Sequence, residues 1–137
     1  MLFVLHHIGH AVPDIAPVLE FYIRNLGYEV RTPVIHDLTQ TAYVQFLRLP
    51  GERVYVELVA PDGVESKLAR AVRNGGGLNH LCYSVEDIEL ATEQLHQSGM
   101  MILSSPTPAV AFSGRRISWL LGDSSPLIEL VEGGGEL

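Results

Sequence analysis

Cysteine is almost absent from this chain of 137 residues. Cys82 stands alone, so no intrachain disulfide can form and no paired-cysteine zinc motif exists. Lysine is just as scarce. Lys67 is the single lysine among nine basic residues, set against 16 acidic ones, and the formal net charge is −7. That balance excludes electrostatic capture of nucleic acid or of an anionic membrane surface. There is no long apolar run either. The stretch from Met1 to Leu5 meets His6 and His7 too soon for a signal peptide or a membrane span. Together with the lone cysteine, this predicts a cytoplasmic protein.

What is present points to a folded core. Hydrophobic residues make up 47% of the chain and charged residues 18%, which excludes disorder. The length fits one domain, or two very small modules sharing one core, and needs no covalent staple. A mean hydropathy of +0.20 is high for a chain of 15.0 kDa. It predicts a buried dimer interface or, more simply, a sheet-rich core.

The chain repeats itself. His7, Val12, Asp14 and Ile15 recur in register as His80, Val85, Asp87 and Ile88. Gly27 with the strand-like run after it returns as Gly99 with Met100–Ile102, and Val56-Glu57-Leu58-Val59 returns as Ile128-Glu129-Leu130-Val131. Three matches in one order at nearly one offset mark a duplicated module. The modules span 3–61 and 78–132, with a linker over 62–77. Each reads as βαβββ. A histidine-bearing strand covers about 3–12 in one and 78–85 in the other. Asp14 and Asp87 are expected helix N-caps. The first helix runs about 15–26, with Ile15, Val18, Leu19, Tyr22, Ile23 and Leu26 at helical spacing; Ile88, Ala91 and Leu95 repeat the pattern. Gly27 and Gly99 suit left-handed helix ends. Strands follow at about 28–35, 40–49 and 53–60, then at 100–104, 109–121 (broken near Ser113-Gly114) and 126–132. The linker carries a short helix, Val64 to Val72, and Gly133–Leu137 is read as a loose tail. The fold class is α+β with internal two-fold pseudosymmetry.

Each module thus has a histidine on its first strand and a glutamate on its last. Glu57 and Glu129 stand among branched aliphatic residues, where glutamate has poor strand propensity. Burying such a charge unpaired would be very costly. One reading is that both glutamates mark a solvent-exposed strand face. The other is a metal site: pseudo-two-fold packing brings His7, Glu57, His80 and Glu129 together, giving two imidazoles and two carboxylates for a divalent first-row ion. By strand alternation His6 and His10 should point away from it. His36, in a loop, and His96, on a helix, are assigned no role.

The segments His7-Ile8-Gly9-x-Ala11-Val12-Pro13-Asp14-Ile15, Phe21-Tyr22 and Leu26-Gly27 resemble the first module of the vicinal oxygen chelate superfamily, which includes glyoxalase I. Within it the pattern is most similar to methylmalonyl-CoA epimerase, through Val56-Glu57-Leu58-x-x-Pro61, Gly76-Gly77-Leu78-x-His80, Val85-x-Asp87-Ile88 and Leu127-Ile128-Glu129-Leu130. The resemblance implies paired βαβββ modules forming a cupped, mostly antiparallel sheet. It implies His7, Glu57, His80 and Glu129 as ligands of one divalent ion per chain, drawn from Co, Ni, Mn, Zn or Mg. It implies proton abstraction next to a carbonyl through a metal-chelated enolate, with Glu129 doubling as base. A second base in the family is a glutamate on the first module's third strand; here Gln45 takes that position, and an amide has no useful basicity. Gln45 is expected to hold substrate or water instead. Two further departures are Leu121-Gly122, where the family has a His-Pro pair, and Asn79, where it usually has histidine. Arg115 and Arg116 lie in a segment that borders the substrate mouth in the family, and either could meet a phosphate or carboxylate.

The resulting expectation is a metal-dependent epimerase acting on an acyl-CoA thioester. The alternatives are a glyoxalase I-like lactoylglutathione lyase acting on a thiol adduct, and a non-enzymatic small-molecule binding protein of the same superfamily. A homodimer is the expected assembly. No nucleic-acid or membrane partner is expected.

Overall fold

The computed structural model describes residues 2–137; Met1, the first residue of the apolar N-terminal run, lies outside them. The chain divides into two compact units. One is contiguous, Ile8–Asn79; the other joins the segment ending at His7 to His80–Leu137. Strands β1 (Val4–Ala11) and β6 (Gly77–Val85) each contribute to both. No helix among the described residues is long and apolar enough to cross a membrane.

In the contiguous unit, the end of β1 leads into helix α1 (Ile15–Leu26), then β2 (Glu29–Val30), β3 (Ile35–Asp37), β4 (Ala42–Arg48), β5 (Tyr55–Pro61) and the short helix α2 (Ala69–Arg73). The strand order is β2-β4-β5-β1, with β3 also on β4. The apolar stripe of α1 (Ile15, Val18, Leu19, Tyr22) packs on Val12, Leu47, Val56, Leu58 and Ala60. The helix ends where expected, at Gly27 in the left-handed region (φ +79°), whose N–H reaches Tyr22 O. Its start differs from expectation. Asp14 makes no side-chain cap bond. The third helical residue is Pro17, so the amide that an aspartate cap usually engages is missing.

The expected strand over 28–35 is two pieces, β2 and β3. Pro33 between them has no N–H for a ladder. Thr32 bonds instead through its side chain, its Oγ1 accepting from Phe46 N at 3.1 Å. The linker helix is shorter than expected and starts later. Ser66 donates to Thr41 O at 2.6 Å and Ser66 N bonds Gly63 O, so a turn occupies the residues before Ala69. Gly76 sits at φ +66°, and a Cβ there would lie 2.5 Å from Ala11 O. Only glycine fits so close a backbone approach.

In the other unit the strand order is β1-β6-β9-β8-β7. Helix α3 (Ile88–Gln97) buries Ile88 and Ala91 against Val85, Leu120 and Leu130, with Leu95 packed beside them. Its cap meets expectation: Asp87 Oδ1 accepts from Leu90 N at 3.0 Å. Strand β7 (Met101–Pro108) is longer than expected because register shifts after Ile102 and Ser104 carry it past Pro106. The expected strand over 109–121 is a 3₁₀ turn, Val110–Phe112, followed by β8 (Arg116–Leu121). Ser113 (φ +55°) and Gly114 (φ +88°) separate the two. Strand β9 (Leu127–Glu132) runs parallel to β6 and antiparallel to β8.

Candidate metal centre

Strand alternation turns Glu129 away from the core beneath α3. Ile128 and Leu130 pack toward that helix, so Glu129 between them faces the other side of β9. Across the ladders it is opposite Cys82 of β6 and Trp119 of β8. His80 opens the same face of β6, and His7 comes from β1 in the same unit.

These three side chains meet. His7 Nε2 lies 3.0 Å from His80 Nε2 and 3.1 Å from Glu129 Oε1. His80 Nε2 is 3.4 Å from the same oxygen. All three residues are nearly sealed, at 0%, 2% and 3% exposure. Phe112 stacks on the His7 ring at 5.9 Å, and Trp119 meets the His80 ring edge-on at 4.9 Å. Burial pushes the Glu129 carboxyl up, but the His7 and His80 imidazoles beside it more than offset that and hold it below its ordinary value.

The geometry fits a cation. Donors about 2.1 Å from a first-row ion sit roughly 3.0 Å apart in an octahedral shell and about 3.4 Å apart in a tetrahedral one. The three observed separations span that interval. Moreover, Glu129 Oε1 is buried with no aligned hydrogen-bond donor among the described residues. A carboxylate oxygen desolvated and unsatisfied in this way is costly unless a positive charge completes it.

Glu57 belongs to the other unit. It stands mid-strand on β5, opposite Phe46 of β4, and is buried. Val56, Leu58 and Ala60 face α1, so Glu57 lies on the far side of β5 with Tyr55 and Val59. Neither glutamate marks a solvent-exposed face, which removes that reading.

Three expectations need correction. Gln45 pairs with Leu58 and therefore shares the face toward α1, opposite to Glu57. Its Nε2 donates to Thr32 O at 3.0 Å, a structural bond. The β4 residues on the Glu57 face are Ala42, Val44, Phe46 and Arg48. Arg115 and Arg116 are both engaged. Arg115 donates to the carbonyls of Glu132 and Gly134, tying down the tail that the sequence suggested was loose. Arg116 is held between Glu132 and Glu89, two carboxylates that its guanidinium keeps below their ordinary range. Finally, His6 does not stand apart from the site. It is buried, and its Nδ1 lies 2.8 Å from His7 Nδ1. No sequence signal separated it from an ordinary core histidine.

Of the other histidines, His96 lies on a helix as expected, whereas His36 stands on strand β3 and not in a loop. His10 Nδ1 meets Tyr22 OH at 2.8 Å, His36 pairs with Asp62, and His96 donates to Met100 O. Phe112 and Trp119, which fix the ring planes of the two site histidines, were also unassigned by the sequence.

Residues 6–133 match the family model of the Glyoxalase/Bleomycin resistance protein/Dioxygenase superfamily. The chain belongs to this superfamily. An ethylmalonyl-CoA/methylmalonyl-CoA epimerase of Cereibacter sphaeroides is 34% identical over 121 residues, covering 85% of this chain and 86% of that protein. Two solved structures carry the same superfamily fold over almost the whole chain. Methylmalonyl-CoA epimerase from Mycobacterium tuberculosis matches with a TM-score of 0.79 at 26% identity, over 96% of this chain and 88% of that one. A hypothetical protein of Bacillus halodurans C-125 matches with a TM-score of 0.85 at 26% identity, over 100% and 99%. The α+β superfamily fold implied by the sequence resemblance is therefore the fold of this chain.

Proposed function

We propose that the protein is a metal-dependent epimerase that moves a proton on the carbon next to a carbonyl, with an acyl-CoA thioester as its substrate class. The convergence of His7 Nε2, His80 Nε2 and Glu129 Oε1 carries this reading. Glu57 is the fourth ligand in it. Its burial at mid-strand and its repeat equivalence to Glu129 support that role. Together the four residues would hold one divalent ion per chain, from among Co, Ni, Mn, Zn and Mg. Such an ion supplies Lewis-acid stabilisation of the charge that develops on a carbonyl oxygen when the neighbouring carbon loses its proton.

Glu129 is the base in this reading. The imidazoles beside it keep it ionised at neutral pH and so ready to accept a proton on carboxylate oxygen. Its proton affinity is low, so the transfer is uphill unless the carbanion is stabilised in the same place. Burial excludes bulk water from that step. The reading includes a homodimer and a cytoplasmic setting suited to a chain with a single, buried cysteine.

One observation favours a second reaction. Ala42, Val44, Phe46 and Arg48 are the β4 residues on the Glu57 face, so that strand offers no carboxylate there. A single base that removes and returns the proton suits glyoxalase I-like isomerisation of a thiol–aldehyde adduct.

Two measurements test the proposal. Elemental analysis of dialysed protein is expected to give about one divalent ion per chain, with a clear loss in Glu57→Gln. In deuterated solvent, methylmalonyl-CoA is expected to exchange its α-proton, and Glu129→Gln to slow exchange at least about 100-fold. Failure to bind any supplied divalent ion removes the metal reading. Turnover of a glutathione hemithioacetal without acyl-CoA exchange selects the second reaction.

A further inference from the structure

We propose that His6 is a positioning residue for His7: its Nδ1 accepts the Nδ1–H of His7 and so fixes the His7 ring with the Nε2 lone pair toward His80 and Glu129. The inference rests on the metal-holding role proposed above and concerns how this chain prepares that role.

Neighbouring strand residues ordinarily project to opposite faces. His6 and His7 nevertheless bring their Nδ1 atoms to 2.8 Å, with both residues buried. Nδ1 is the ring nitrogen nearer the backbone, so it is the one two consecutive imidazoles can share. At 2.8 Å one proton lies between the two nitrogens. Two lone pairs would repel there, and two N–H groups would collide.

The other side of the His7 ring decides which nitrogen carries that proton in the ion-loaded protein. His7 Nε2 is the nitrogen that faces His80 and Glu129. A ligating nitrogen must be bare, and a neutral imidazole then keeps its one proton on the other nitrogen. The proton therefore sits on His7 Nδ1, and His6 Nδ1 accepts it. Ligating histidines usually give this second N–H to a carboxylate, a backbone carbonyl or water. Here the acceptor is a second imidazole. Phe112 holds the pair together, stacked on His7 at an interplanar angle of 23° and edge-on to His6 at 5.5 Å.

One rival uses the same atoms. His6, His7 and Cys82 offer ligand atoms within 4.8 Å of one another, all buried. A soft ion held there would take both Nδ1 atoms and abolish the nitrogen-to-nitrogen hydrogen bond.

The test uses whole protein labelled with 15N-histidine and titrated with zinc. A scalar coupling through the hydrogen bond, between His7 Nδ1 and His6 Nδ1, is expected in the zinc-loaded protein, with the proton on His7. Chelator competition is expected to show His6→Phe binding zinc roughly 10- to 100-fold more weakly than wild type. His6→Gln, whose amide oxygen can accept the same proton, is expected to recover most of that loss. A merely structural role would not produce the coupling or that rescue. If His6→Phe does not fold, the wild-type coupling and His6→Gln decide. The inference is overturned if wild type binds one zinc but the coupling is absent or its proton sits on His6. It is equally overturned if His6→Phe binds as tightly as wild type, or if two zinc ions bind per chain. If wild type binds no zinc, the metal-holding role fails first and takes this inference with it, a result visible without any variant.

Discussion

His10 shows what partial burial does to an imidazole. It bonds Tyr22 OH and is partly buried, and burial lowers its pKa from 6.5. The unfolded chain then binds a proton more readily than the folded one. Stability contributed by neutral His10 is complete above about pH 6.5 and is lost as pH falls toward the lower folded pKa. Urea unfolding between pH 7.5 and 5 should therefore steepen in wild type relative to His10→Gln, which keeps a hydrogen-bonding group for Tyr22 but does not titrate. Equal slopes would show that His10 is not the source. At this scale the sequence was legible where a residue broke its local pattern. Two glutamates among branched aliphatics stood out, and both proved buried. Gln45 misled because strand parity has period two: one position decides the face, and Val44 rather than Gln45 lies on the side of Glu57. His6 was illegible because alternation points it away from the site, and only the fold brings the two rings together. Arg115 and Arg116 looked available because nothing in the sequence reveals that Glu89, Glu132 and the tail carbonyls already occupy them.

The two long helices make a controlled comparison between elements. Both begin after an aspartate, at repeat-equivalent positions. Asp87 caps Leu90 N, whereas Asp14 faces a turn in which Pro17 offers no amide. Asp87→Ala should cost about 1 kcal/mol of unfolding free energy, and Asp14→Ala only a few tenths. Chemical denaturation of the two variants reads the difference, and equal losses would refute the role given to Pro17. The strands differ in a similar way. β4 and β5, whose apolar runs are interrupted at mid-strand only by Gln45 and Glu57, begin and end close to where their sequence suggests. β2 and β3 are split by a proline whose effect on pairing is local, while β7 is prolonged by bulges that no periodicity announces.

For the molecule as a whole, an ion bound only by the folded state raises stability by mass action. At 100 times its Kd the gain is about 2.7 kcal/mol. Urea midpoints with and without added zinc or cobalt should differ accordingly in wild type and draw together in Glu57→Gln. Equal midpoints in wild type would exclude a folded-state ion site. The division of the chain has a further consequence for synthesis. Ile8–Asn79 is contiguous, but His7 must wait for His80, 73 residues later, before its own unit can close. At about 5–20 residues per second that wait is roughly 4 to 15 s on the ribosome. For that interval the nascent chain carries His7 with its neighbour His6 but without His80. In the reading proposed above, the ion site would be complete only once Glu129 has followed His80, so the choice of ion would fall to a chain that already holds the whole of Ile8–Asn79.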